Sequence, residues 1–148
     1  MTDVGTADAI EADILAAIEA TPIRGLSRAV ASLSVDDLIF RDGQLGNAVI
    51  GICDADAAFK NEHSANVKSF LAATLWEVSV VVKNERGAVE GRRLRRFIQE
   101  TVRDRLQWLV SSQGRKFQWL SEKPTETGKA DLLASVATYG LDTLFGKP

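Results

Sequence analysis

Residues 75–83, LWEVSVVVK, constrain the fold more than any other stretch of this chain. Trp76, Val78, Val80 and Val82 alternate with Leu75, Glu77, Ser79, Val81 and Lys83. A period of two places the first set on one side of a β-strand and the second on the other. The first side is wholly apolar and has to be covered. The second is mixed, as expected for a sheet that is dry on one side and partly wet on the other. Any fold for the chain must therefore supply neighbouring strands and a layer above them.

The layer is visible downstream. VEGRRLRRFIQETVRDRL, residues 89–106, carries six arginines on a helical period. At 100° per residue Leu94, Phe97, Ile98, Thr101, Val102, Trp108 and Leu109 gather on one face. Arg92, Arg96 and Arg103 stand opposite, with Arg93 and Arg95 on the flanks. The segment reads as a long amphipathic helix from about residue 89 to 110. Arg105 falls at the centre of its apolar face, where a guanidinium needs a carboxylate or several carbonyls to offset desolvation. The partner is either internal or an acid of a neighbouring subunit, with Asp36, Asp37, Asp54 and Asp56 as candidates.

The remaining elements follow from the same rules. Ile10, Ile14 and Ile18 mark a first helix that Thr6 caps and Thr21-Pro22 ends. A short helix is expected around Leu26 to Leu33. AVIGIC, 48–53, is a short apolar run of a buried strand. Segments 54–66 and 123–130 read as polar connectors, of a composition that would suit ordering on assembly. FQWLSE, 117–122, is a strand, and residues 131–145 form a last strand bent at Gly140, with a helical reading of 131–139 in competition. The expectation is one α+β domain over 1–148. Its mainly antiparallel sheet is packed on one face by an N-terminal helix and a long central helix.

The chemistry that the chain lacks is equally informative. One histidine, His63, and one cysteine, Cys53, cannot assemble a zinc site or an intramolecular disulfide. No phosphate-cradling glycine loop is present. DADAAFKNE, 54–62, resembles a calcium loop but lacks its glycine and its last acid. Gly87, Gly91 and the nearby arginines give only a weak anion signal. No catalytic, cofactor or metal residue is assigned, and the chain is read as not an enzyme. No apolar run is long enough to span a bilayer. The acidic N-terminal stretch is unlike a signal peptide, which points to folding in the cytoplasm.

Charge is distributed unevenly. The formal net charge is -2, yet residues 1–62 hold 4 Lys/Arg against 11 Asp/Glu and residues 63–148 hold 14 against 9. Segregation of this kind steers contacts between copies of one chain or to a partner. The arginine face also raises nucleic-acid binding as the alternative function. Glu90, Glu100 and Asp104 interrupt it, however, and no stacking aromatics stand among the arginines.

Taken in order, AIEADILAAI, NAVIGICDADAAF, WEVSVVVKNERG, the helix ending RLQWLV, FQWLSEK and LLASVATYGLDTLF resemble the small tail proteins of Mu-like phages and prophages. These are similar to tail terminator, or tail completion, proteins. The resemblance spans most of residues 7–145 and leaves 22–46 unmatched. It implies a viral structural protein that forms a homo-oligomeric ring, hexameric in that family, capping the tail tube and joining it to the head connector. The virion tail would be its final location. Arg92, Arg93, Arg96, Arg103, Arg105, Asp54 and Asp56 are the candidate interface residues.

Overall fold

The computed structural model describes residues 5–41, 46–54, 75–84, 87–110 and 116–141. Eight elements follow in the order α1 (Gly5–Glu19), β1 (Arg28–Ala31), α2 (Val35–Phe40), β2 (Ala48–Asp54), β3 (Leu75–Lys83), α3 (Ala88–Leu106), β4 (Phe117–Thr125) and β5 (Leu132–Leu141). The strands form one sheet in the order β1-β2-β3-β5-β4. Only the β1–β2 pairing is parallel, and the others are antiparallel. The fold is α+β.

The alternation in residues 75–83 sets the layers. Trp76, Val78, Val80 and Val82 meet Ile50 and Ile52 of β2, Ala137 and Tyr139 of β5, and the buried isoleucines of α1. Ile98, Val102 and Leu106 of α3 close the same core. Each such aliphatic side chain contributes about 1.5–3 kcal/mol when fully buried. The second side of the sheet is not simply wet. Val81 joins Val49, Leu132, Ala134 and Leu38 in a smaller cluster under α2, so helices cover both faces and not one. Gly51 makes this possible, because a Cβ there would lie 2.7 Å from the Leu33 carbonyl and 3.0 Å from Leu38 Cδ1. Ser34 starts α2 with a reciprocal capping box: Asp37 N–H donates to Ser34 Oγ, and Ser34 N–H donates to the Asp37 carboxylate.

Three expectations are corrected. Residues 28–31, expected within a helix, are an edge strand beside β2, and the helix lies later, at Val35–Phe40. β-Branched and small residues in RAVA pack against β2 more readily than they hold a free-standing helical turn. α1 runs from Gly5, and the expected Thr6 cap falls on a side chain outside the described ones. Residues 123–125 extend β4, and only 126–131 remain a connector. Pro124 is tolerated there because β4 is an edge strand whose outer side has no partner requiring its N–H. Lastly, residues 132–141 are strand throughout, which removes the helical alternative for 131–139. Residues 142–145 and 55–66 lie outside the described residues.

Candidate functional site

The arginine-rich segment folds as α3, but it is rotated relative to the simple wheel. Its buried line is Gly91, Ile98, Gln99, Val102 and Leu106. Gly91 permits this seating, since a Cβ would meet Leu133 Cδ1 at 2.8 Å and Asn84 Oδ1 at 3.1 Å. Gln99, a polar residue that the wheel left out of the core, is fully buried. Its Nε2 donates to Ser135 Oγ at 2.9 Å and lies 3.4 Å from the carbonyls of Val78 and Ser135. Two aromatics assigned to the apolar face are instead on the surface. Phe97 is 39% exposed beneath the Arg24 guanidinium, 5.6 Å from the ring centre. Trp108 is 59% exposed because the helix stops at Leu106 and Trp108 takes a positive φ. There Trp108 N–H donates to the Phe117 carbonyl and begins the ladder into β4.

The arginines divide into distinct roles. Arg105 points at α1, where its Nη1 donates to the carbonyls of Ile18 and Thr21, both at 2.6 Å. Of the two kinds of partner expected, backbone carbonyls of the same chain are the ones found. Arg105 therefore clamps α3 to α1. Arg103 is half-buried and stacks on Trp119, 5.0 Å from the ring. Arg95 is half-buried too. Burial holds its guanidinium below the usual range, Glu122 opposes that shift, and Arg96 and Arg92 add to it. Arg92, Arg93 and Arg96 are exposed, with Arg93 3.5 Å from Glu90 one turn earlier.

Arg92, Arg95 and Arg103 lie toward one edge of the sheet. Arg92 and Arg95 border a hollow of about 490 Å³ against Pro124 to Gly128 and Leu132 to Ala134. With Arg103 on Trp119, the arginine row follows the β4 side of the sheet. The α1 acids take the other flank. Asp8, Glu11, Asp13 and Glu19 are on α1, which packs over β1 and β2. Asp36 and Asp37 begin α2, which lies over β2, β3 and β5 on the second face, and Asp54 ends β2 in an exposed position. Asp56 and His63 lie outside the described residues. β1 and β4 are the two edges of the sheet, so the α1 acids and the Arg92, Arg95 and Arg103 row lie toward opposite edges, with Arg28 on the first side and Glu122 and Glu126 on the second.

Within the described residues no group of three histidine, cysteine or carboxylate side chains is arranged to hold a metal ion. Cys53 is half-buried beside Glu77, its Sγ 3.8 Å from Oε1. Burial, then the Glu77 and Asp54 charges, push its thiol up to about 12. Burial also raises the Glu77 carboxyl above the ordinary range, opposed by the Cys53 hydrogen bond and reinforced by Asp36. A thiol so disfavoured as thiolate is a poor nucleophile. No helix among the described residues is long and apolar enough to cross a membrane. No known family model matches the chain, and no characterised protein matches it in sequence.

Proposed function

We propose that this chain is a structural subunit of a phage tail or tail-like particle. It resembles tail terminators, and in this reading it forms a homo-oligomeric ring that caps the tail tube and meets the head connector. The observation that carries the reading is the placement of the α1 acids toward β1 and of Arg92, Arg95 and Arg103 toward β4, at opposite edges of one sheet. A closed ring requires a heterologous contact, in which one patch meets a different patch on the next copy. Oppositely charged flanks supply both halves of such a contact and disfavour like-to-like pairing. The reading is supported further by the order of elements on which the resemblance rests, and its work is assembly, with no bond made or broken.

Electron microscopy of the parent particle tests this directly. With the subunit labelled, the label is expected at the head-proximal end of the tail, and deletion of its gene is expected to give tubes of uncontrolled length. Tails of normal length and normal head attachment without the protein rule the assignment out.

A further inference from the structure

The acidic flank contains a hollow of about 260 Å³ bounded by Asp8, Glu11, Ser32, Cys53, Asp54 and Trp76. It lies where the start of α1 passes over the end of β2. We propose that this hollow receives an arginine from the exposed α3 row, Arg92 or Arg96, of a second copy of this chain. The inference rests on the assembly reading above and assigns that reading its contact.

Three observations carry it. The first is charge: among the described residues three carboxylates line the hollow and no cationic side chain does. Glu11 is already committed, accepting from Ser32 N–H at 2.8 Å and Ser32 Oγ at 3.1 Å, and this pair holds Ser32 at its positive φ. Asp8 and Asp54 are exposed beside it. The second is an unmet hydrogen bond. Trp76 is 2% exposed, and its indole Nε1 has no partner among the described residues. A buried donor left unpaired costs about 1–3 kcal/mol. A guanidinium has only donors, so the acceptor for this N–H has to be a carbonyl of the incoming chain. The third is geometry. Asp54 pairs with Trp76 at the first end of β3, while Leu132, beside the Arg92 hollow, pairs with Lys83 at its last end. The two patches thus stand at diagonally opposed corners of the sheet and cannot satisfy each other within one molecule. A head-to-tail contact between copies joins them.

Charge exchange between two variants tests the proposal. Asp8→Lys with Asp54→Lys reverses the hollow, and Arg92→Glu with Arg96→Glu reverses the row; all four residues are exposed. Sedimentation at low salt is expected to show self-association weakened roughly ten- to a hundredfold in each variant alone. An equimolar mixture of the two recovers it, because each reversed patch then faces an opposite charge. The Trp76 indole N–H resonance is expected to move on association of the wild-type chain and not on dilution of either variant. Unchanged association in both variants overturns this contact and leaves the ring reading intact, as does a mixture that stays dissociated. A wild-type chain that is monomeric at every concentration and also fails to assemble on tail tubes overturns both.

Discussion

Arg105 Nη1 lies 2.6 Å from the carbonyl oxygen of Ile18, joining the last turn of the long helix to the last turn of the first. The same nitrogen reaches Thr21, so one cation satisfies two carbonyls at the negative end of α1. Replacing Arg105 with Met keeps the apolar stem and removes both bonds. The expected loss of stability is about 2 kcal/mol, with the urea midpoint lowered and its slope unchanged. Lysine at this position is expected to recover only part of the loss, since it lacks the planar fork.

Gln99 and Ser135 form a buried polar pair with one oxygen, Gln99 Oε1, left without a partner. Gln99→Ala opens a cavity and strands the Ser135 hydroxyl, and is expected to cost about 2–4 kcal/mol. Gln99→Leu combined with Ser135→Ala removes both polar groups and restores most of that loss. A double-mutant cycle by chemical denaturation measures the coupling. Additive effects would show that the hydrogen bond contributes nothing.

Gly91→Ala sets two effects against each other. Alanine gains about 1 kcal/mol of intrinsic helix propensity. Its Cβ, however, lies 2.8 Å from Leu133 Cδ1 and 3.1 Å from Asn84 Oδ1, and overpacking of this kind costs about 1–3 kcal/mol. Net destabilisation is expected, and Gly91→Ala paired with Leu133→Val is expected to be more stable than Gly91→Ala alone. Thermal midpoints of the three chains decide it.

The Cys53 thiol is held up to about 12, against an ordinary value of 9.0. Thiolate-selective reagents at neutral pH are expected to modify it far more slowly than they modify the unfolded chain. Glu77→Gln removes one of the charges opposing ionisation and is expected to accelerate modification. The sign for stability follows from linkage. Between pH 9 and about 12 the unfolded chain releases this proton and the folded one keeps it, so stability falls as pH rises through that window. A Cys53→Ala chain is expected to show a smaller fall over the same range.

Three arginines of the row are engaged within the molecule: Arg93 with Glu90, Arg103 with Trp119 and Arg105 with α1. Binding to duplex DNA is therefore expected to be weak near physiological salt. A titration showing submicromolar affinity with a steep loss on added salt would favour the nucleic-acid alternative over assembly.

The strand at 75–83 was legible to the residue, because four apolar positions at a strict period of two admit no other reading. The isoleucines of α1 were legible for the same reason at the helical period. What escaped the sequence depends on partners distant along the chain. RAVA becomes a strand only because β2 offers it a parallel neighbour, and α2 sits on the second face only because Gly51 leaves room. In the arginine helix, periodicity showed amphipathicity but misplaced its axis. Gln99 turned inward to meet Ser135, while Phe97 stayed at the surface under Arg24. The charge imbalance was visible as a count. Its resolution into two flanks required the strand order.

That order carries a consequence for how the molecule is made. β3, the valine-rich strand, has β5 as its permanent neighbour, yet α3 and β4 are synthesised in between. As the polypeptide leaves the ribosome, one rim of β3 stays bare until the closing strand emerges. An open, β-branched rim of this kind is a template for pairing with other nascent chains. Translation that stalls before Leu132 should therefore yield insoluble product even though most of the hydrophobic interior has already been made.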